Sequence, residues 1–433
     1  MPGLFCFYLV SSIMPIMKFK FLKNLFLLAL PVMAVTALFS FNQWYKKQNV
    51  LSKGSDANMS FDVNNFESRY FASFNDLKDY FQELAKEKGA DYAFEVLKKA
   101  DIPPNTDMHL LGHAVGDILY KQKGLDGIKI CTEDFRNACS HSIVVGLFSD
   151  NGEGALPEIA QACRQAPGGS GAYTMCFHGL GHGILAAVGY DLPKAIGHCS
   201  AFGTREYGYQ EKAQCNSGTI MEIIGGGGHD RELWAKQRVK LLSIKDPLSP
   251  CNTNLIPEDS KYLCYSYITP YIFEAVGADL GSPGPSDFEK AFKYCNKIPQ
   301  SDKPNRDACF GGFGKEFIGL VRGRDIRKNS IANISNDNFK TVYEWCKLAN
   351  NKDGTAACLL HAMDSLFWGG ENDVNISLNF CSLFDDDPFY QGSCYRHLVG
   401  AVFFYIKDPQ YINNFCQKLP AEHKDFCLSQ IKQ

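Results

Sequence analysis

The chain has 433 residues, of which 45% are hydrophobic and 21% are charged, and its formal net charge is -3. This length and hydrophobic content are sufficient for a large buried core, and the near-neutral charge gives no electrostatic argument for nucleic acid as the main partner. Seventeen cysteines are many more than a cytosolic protein carries, so disulfides in an oxidising compartment or a set of metal sites must account for them.

The N-terminus has the pattern of an export signal. Lys18, Lys20 and Lys23 precede an apolar run at residues 25–41, as in the charged and hydrophobic regions of a signal peptide. The run is near the shortest length that spans a bilayer, so we expect residues 1–41 to be a cleaved signal peptide or a signal anchor in the inner or plasma membrane. Residues 42–65 are polar and unpatterned and are predicted to be a flexible tether, followed by a folded domain at 66–433. The protein is therefore expected in the periplasm or at the cell surface.

Sixteen of the cysteines follow one another in closely spaced pairs. The two members of a pair are 8 to 16 residues apart, which is too far for the paired cysteine ligands of zinc ribbons and fingers. We therefore predict eight disulfides between sequence neighbours: Cys131 with Cys139, Cys163 with Cys176, Cys199 with Cys215, Cys251 with Cys264, Cys295 with Cys309, Cys346 with Cys358, Cys381 with Cys394, and Cys416 with Cys427.

Helical patterns flank most pairs of cysteines. Stretches such as DLPKAIGHC, DFEKAFKYC, DVNISLNFC and the shorter GLDGIKIC end at the first cysteine, and most carry an Asp or Asn that can cap a helix. Longer apolar stretches such as CFHGLGHGILAAVG begin at or next to the second cysteine. Each repeat is thus predicted to consist of a helix A, a polar loop closed by a disulfide, and a helix B.

The repeats recur every 32 to 52 residues, which is typical of stacked helical hairpins. Counting a first repeat in which Asp107 replaces the second cysteine, we expect eight hairpins and a C-terminal stub around Cys416 and Cys427. The predicted fold is all-α, built from repeated helical hairpins as an α-solenoid or an α/α-toroid. The phrase GLGHGILAAVG resembles the inner-helix openings of lanthipeptide cyclases, and this resemblance implies a closed toroid as the alternative to an open solenoid.

The histidines give the main functional signal. Five of the ten lie in the first two turns of the first three B helices: His109, His113, His141, His178 and His182. Residues four apart share a helix face, so His109 with His113 and His178 with His182 can each chelate one ion. Neutral imidazoles bind iron, copper and zinc, and we predict that the five converge on one or two such divalent ions.

Carboxylates occupy the corresponding face of the later B helices. Glu222, Glu316 and Asp364 lie six or seven residues after the second cysteine, and Glu274 lies ten residues after it. Because a buried carboxylate without a partner is costly, we predict that this face lines a concave surface or a cavity. Glu222 is a candidate further ligand or general base. The remaining histidines are expected to have structural roles: His198, His229, His361, His397 and His423.

Two classes of function follow from these patterns. The first is an exported repeat protein with a histidine metal site, which an open coordination position could make a metal-dependent enzyme. The alternative is a non-catalytic scaffold that binds a peptide or protein on its concave face. The sequence contains no GxSxG, HExxH or dinucleotide-binding motif, and every cysteine beyond the leader has an apparent partner, so a cysteine nucleophile is not expected.

Overall fold

Apolar residues at helical spacing recur along the chain, and they form helices throughout the described part. The structure is a computed structural model that describes residues 73–431 apart from 101, 103–107, 133, 167–168, 204–209, 226–230, 280–281, 323–333, 370–372, 385–386 and 407. These residues belong to one contact unit, Phe66–Gln433. Within the described ranges the structure has no β-strand, only an isolated bridge between Ser243 and Asp246. The predicted all-α fold is confirmed.

The helices pair into hairpins in chain order. A leading helix α1 (Phe74–Lys88) precedes the first hairpin, which is formed by α2 (Ala90–Lys99) and α3 (Met108–Lys123). The second hairpin pairs a 3-10 helix, Gly124–Lys129, with α4 (Asp134–Asn151), and the third pairs α5 (Leu156–Arg164) with α6 (Gly169–Ala187). The fourth pairs α7 (Leu192–Cys199) with α8 (Gln210–Gly225), and α9 (Arg231–Leu241) follows as an insertion.

The later hairpins continue the same order. The fifth has the short α10 (Ser249–Asn252) and a B helix divided into α11 (Lys261–Tyr267) and α12 (Thr269–Ala275). The sixth consists of α13 (Pro285–Lys297) and α14 (Lys303–Val321), the seventh of α15 (Asn336–Lys347) and α16 (Lys352–Gly369), and the eighth of α17 (Val374–Ser382) and α18 (Pro388–Tyr405). The predicted C-terminal stub is instead a full hairpin of α19 (Pro409–Lys418) and α20 (Ala421–Ile431).

Side-chain caps start several A helices where the sequence predicts them. Asp191, Asp373 and Asp408 accept hydrogen bonds from backbone amides in the first turns of α7, α17 and α19. The predicted A helix in GLDGIKIC is wrong in type, because Gly124–Lys129 forms a 3-10 helix. Two glycines in six residues weaken an α-helix.

The B helices start earlier than the second cysteine, contrary to the prediction. Helix α14 begins at Lys303 and α18 at Pro388, each six residues before its cysteine. Proline lies in the first turn of both helices. Backbone N–H groups there have no acceptor within the helix, so the absence of an N–H in proline costs no hydrogen bond. In the fifth repeat, Pro270 cannot continue a helix, and the B helix is divided there.

All eight predicted disulfides form between sequence neighbours. Their Cα atoms are 5.3 to 5.6 Å apart, and each of the sixteen cysteines is buried. In the repeats with long A helices, a bridge ties the end of helix A to the second turn of helix B. A closed loop of this size stabilises a fold by about 3 kcal/mol. Eight such bridges indicate an exported protein that folds in an oxidising compartment.

The B helices pack against one another in a row. Contacts run from α3 to α4, α6, α8, α11, α14, α16 and α18, and α18 also contacts α6. Glycines allow the closest approaches: a Cβ at Gly218 of α8 would lie 1.9 Å from the carbonyl oxygen of His178 on α6. The row therefore places the functional side chains of successive repeats next to one another.

The predicted leader and tether lie outside the part of the chain that the structure describes. These are residues 1–41, with the possible anchor at 25–41, and residues 42–65. Among the helices of the described residues, none is both long and apolar enough to cross a membrane.

Candidate metal centre

Two neighbouring B helices bring three histidines to one point. His109 and His113 lie one turn apart on α3, and His141 lies on α4, which packs against α3. One ring nitrogen from each histidine lies within 4.8 Å of the other two. His141 is buried, whereas His109 and His113 are partly exposed, so the cluster has a side open to solvent. This cluster is a possible three-histidine metal site.

Backbone carbonyls fix two of the three rings. His109 Nδ1 lies 2.6 Å from the carbonyl oxygen of Phe135, and His141 Nε2 lies 2.9 Å from that of Met175. Because a carbonyl oxygen only accepts, both nitrogens carry hydrogen, and the lone pairs are on His109 Nε2 and His141 Nδ1. Phe135 has a left-handed φ of 56°, a conformation that costs about 1–2 kcal/mol and is found preferentially at functional sites. Outer hydrogen bonds of this kind orient histidines that bind metals.

The third ring, His113, can take either tautomer because its outer partner is a hydroxyl. Its Nδ1 lies 3.0 Å from Ser142 Oγ, and its Nε2 lies 3.2 Å from His109 Nε2. When Ser142 donates to His113 Nδ1, the Nε2–H of His113 donates to His109. When Ser142 donates to the His113 carbonyl oxygen, 3.1 Å away, His113 Nδ1–H donates to Ser142. Both Nε2 lone pairs then face each other, so a turn of the Ser142 hydroxyl together with transfer of the His113 proton from Nε2 to Nδ1 makes a chelating pair without a change in charge.

The spacing of this pair is close to that of two ligands on one metal ion. Zn–N bonds of about 2.0–2.1 Å in tetrahedral geometry separate two nitrogens by about 3.3–3.4 Å. The two Nε2 atoms are 3.2 Å apart. A tetrahedral ion therefore needs only a small adjustment of the two rings.

A second pair of histidines lies on α6. His178 Nε2 and His182 Nε2 are 3.1 Å apart. His182 Nδ1 donates to a carboxylate oxygen of Glu222 at 2.8 Å, and the Tyr190 hydroxyl donates to the other oxygen at 2.9 Å. His178 Nδ1 lies 3.2 Å from Ser217 Oγ, which repeats the histidine–serine contact of the first cluster. Both pairs thus have one ring held by a fixed acceptor and one ring held by a serine.

His141 lies between the two pairs. Its ring centroid is 5.5 Å from that of His109 and 6.1 Å from that of His178, so the five predicted histidines form one continuous group. Burial lowers the pKa of His141 and of His178 well below the ordinary value, and charge on neighbouring histidines acts in the same direction. Both rings are therefore neutral at neutral pH, which is the form that binds metals.

The predicted acidic residues have different surroundings. The Glu222 carboxylate contacts Nδ1 of His182, the ring nitrogen that does not face His178. This is the contact of a residue that positions the His182 ring. The role of Glu222 as a ligand or general base stays a prediction. Glu274 makes two hydrogen bonds with Arg238 of α9, at 2.7 and 3.1 Å. Asp364 pairs with His397 on α18, and Glu316 is partly buried on α14. A single cavity shared by these carboxylates stays a prediction.

Four of the histidines that we expect to be structural lie in the described part of the chain, and none of them is a member of the three-histidine cluster. His397 Nε2 is 3.0 Å from both carboxylate oxygens of Asp364. Burial acts to lower the pKa of His397, but the hydrogen bond and charge of Asp364 outweigh it and raise that pKa. Burial lowers the pKa of neighbouring His361, whose ring packs directly on Gly311. Of the others, His198 lies near Glu153, His423 lies near Glu422, and His229 is outside the described residues.

Several residues that orient the histidines were missed in the sequence. Ser142 and Ser217 lie three and two residues after the second cysteine of their repeats, which are offsets at which histidines occur elsewhere. That shared position is the signal that could have identified them. Tyr190 and the carbonyl groups of Phe135 and Met175 have no comparable sequence signal, because only the packing of successive helices brings them to the rings.

Comparison with known proteins gives no relative for this chain. No protein-family model, curated protein or solved structure matches it. The function is therefore inferred from the chemistry of the site alone.

Proposed function

We propose that this exported helical-repeat protein binds one divalent transition-metal ion through His109, His113 and His141. The observation that carries the proposal is the grouping of three ring nitrogens within 4.8 Å. Its support is the outer hydrogen bond of each ring, to Phe135, Ser142 and Met175. Three imidazoles held in this way are typical of metal sites whose ligands are oriented before the ion arrives.

The donor set suits zinc, copper or iron. All three ligands are neutral nitrogens, so the full double charge of the ion remains to polarise a further ligand. Three protein ligands leave a coordination position for water or substrate, as in catalytic zinc sites. His109 and His113 are partly exposed, which supports an open position on the solvent-accessible side. We propose metal-assisted activation of water as the chemistry such a site supports.

The proposed location is the periplasm or the cell surface. The eight disulfides support an oxidising compartment, and residues 25–41 would retain the protein at the inner or plasma membrane if they are not cleaved. N-terminal sequencing of the mature protein tests this part of the proposal. A mature chain that begins after residue 41 would exclude the anchor.

Metal titration of the purified, disulfide-bonded protein tests the central proposal. We expect the metal-free protein to bind Zn²⁺ or Cu²⁺ stoichiometrically, and we expect His113→Ala to lose more affinity than the roughly 10- to 100-fold that removal of an outer partner costs. His198→Ala is the matched control, because His198 lies by Glu153 and outside the cluster. A protein that binds neither ion, or binds equally well without His113, would overturn the proposal and favour the peptide-binding scaffold instead.

A further inference from the structure

We propose that His178 and His182 form a second metal site, which holds its own divalent ion beside the three-histidine site. The inference goes beyond the proposed function, because the cluster of His109, His113 and His141 is complete without these two residues. It rests on the pair's geometry, on its outer partners and on its access to solvent.

The geometry of the second pair matches a chelating pair. The two Nε2 atoms are 3.1 Å apart and lie one helical turn from each other on α6. Tetrahedral coordination with Zn–N bonds of about 2.0–2.1 Å requires about 3.3–3.4 Å. The His182 ring is partly exposed, so an ion can reach the pair and complete its coordination with water or a bound substrate.

The outer contacts of His182 are those that metal-binding histidines make. Its Nδ1 donates to Glu222, which is almost fully buried and also accepts from the Tyr190 hydroxyl. A carboxylate behind a histidine orients the ring and makes the inner nitrogen a better ligand. The lone pair of His182 is therefore on Nε2 and points at His178.

Ser217 allows His178 to present its lone pair to the same point. Ser217 Oγ can donate to the Tyr267 hydroxyl, 3.1 Å away, and then it accepts from His178 Nδ1 at 3.2 Å. In that arrangement the Nε2 lone pairs of His178 and His182 face each other, which is repulsive until a cation lies between them. In the other arrangement Ser217 donates to His178, and the two rings share a hydrogen bond. The apo pair is thus stable, and it opens for an ion when the Ser217 hydroxyl turns to Tyr267 and the His178 proton moves from Nε2 to Nδ1.

Metal titration with variants in each cluster tests the second site. The full exported chain is made metal-free and titrated with Zn²⁺, and bound zinc is counted by elemental analysis. We expect two zinc ions per chain, the second bound more weakly because it has two protein ligands rather than three. His182→Ala should lose the weaker ion and keep the tighter one, and His113→Ala should do the reverse.

Glu222→Gln keeps a hydrogen-bond acceptor behind His182 but removes its charge, so it tests the site without removing a ligand. We expect it to weaken only the second ion, by about 10- to 100-fold. One zinc ion that is insensitive to both His182→Ala and Glu222→Gln would overturn the second site and leave the proposed function intact. One ion that either His113→Ala or His182→Ala abolishes would also overturn it, in favour of a single five-histidine site. Failure to bind any zinc would overturn the second site, and failure to bind Cu²⁺ as well would overturn the proposed function.

Discussion

Replacing Gly314 by alanine should force two central helices apart. Gly314 lies on α14 where it meets α16, and an added Cβ would lie 1.9 Å from the carbonyl oxygen of Cys358 and 2.8 Å from the amide nitrogen of Ala362. Ordinary van der Waals contact begins at 3.4 Å, which leaves a shortfall of about 1.5 Å at the carbonyl oxygen.

The size of the effect follows from what the new methyl group meets. Overpacking of a protein core usually costs about 1–3 kcal/mol of the free energy of unfolding. Both obstructing atoms belong to the backbone of α16 and cannot rotate away, so we expect the upper end of this range, about 3 kcal/mol. The helix propensity of alanine offsets at most about 1 kcal/mol of this loss.

Gly319→Ala provides a control in the same helix. A Cβ at Gly319 meets no atom within 4 Å, so this variant should be more stable than the parent protein by about 0.5–1 kcal/mol. Urea unfolding followed by far-ultraviolet circular dichroism, with the disulfides intact, measures both variants. Equal stabilities of Gly314→Ala and Gly319→Ala would refute the close approach of α14 and α16.

Three further predictions concern the disulfides, the titration of two histidines and the outer contacts of the metal site. Replacing both Cys295 and Cys309 by serine opens a loop of sequence separation 14 and should lower the free energy of unfolding by about 3 kcal/mol in urea. In proton NMR titrations of the metal-free protein, the pKa of His397 should lie above about 6.5 and that of His361 below it. The stabilisation from His397 is present below pH 6.5 and is lost as the pH rises through the raised pKa. His361 instead destabilises the fold as the pH falls below 6.5, because the unfolded chain then binds a proton that the folded protein does not. Ser142→Ala should weaken zinc binding about 10- to 100-fold in a calorimetric titration, because His113 loses its outer partner.

Each of these predictions has a control or an opposing outcome. An unchanged urea midpoint without the Cys295–Cys309 bridge would contradict the stabilising role of the hairpin loop. Asp364→Asn should bring the pKa of His397 down, and no change would mean that the carboxylate is not its partner in solution. Ser140→Ala, on the same helix as Ser142 but bonded to the carbonyl oxygen of Asn137, should leave zinc affinity unchanged.

The order of hairpins and the disulfide pairing could be predicted because they depend on local spacing. A cysteine at the end of one helix and another in the next helix are brought together by the hairpin itself, so sequence neighbours pair. The bounds of the B helices could not be taken from the cysteines. Proline lies in the first turn of α14 and of α18, at Pro304 and Pro388, in stretches that the cysteine spacing predicts as loop.

The histidine face could be predicted, but the approach of His141 to His109 and His113 could not. Helical periodicity places His109 with His113 and His178 with His182. How His141 meets each pair depends on packing between α4 and its two neighbours, where a Cβ at Gly179 would lie 2.2 Å from the His141 ring. That approach is a property of three helices together, and no local pattern encodes it.

The roles of the outer partners also depend on tertiary contacts. Glu222 lies on the predicted face, yet its carboxylate contacts the outer nitrogen of His182. The sequence gives the position of Glu222 on α8 but not which atom of a neighbouring ring it reaches. Only the packing of α6 against α8 shows which ring nitrogen of His182 the Glu222 carboxylate contacts.

Anomalous X-ray diffraction from crystals of the zinc-loaded protein, measured on both sides of the zinc absorption edge, tests the metal site most directly. We expect an anomalous peak about 2.0–2.1 Å from His109 Nε2, His113 Nε2 and His141 Nδ1, with the other ring nitrogens still bonded to Phe135, Ser142 and Met175. An empty three-histidine cluster in zinc-saturated crystals, or a peak bound only by surface residues elsewhere, would contradict it.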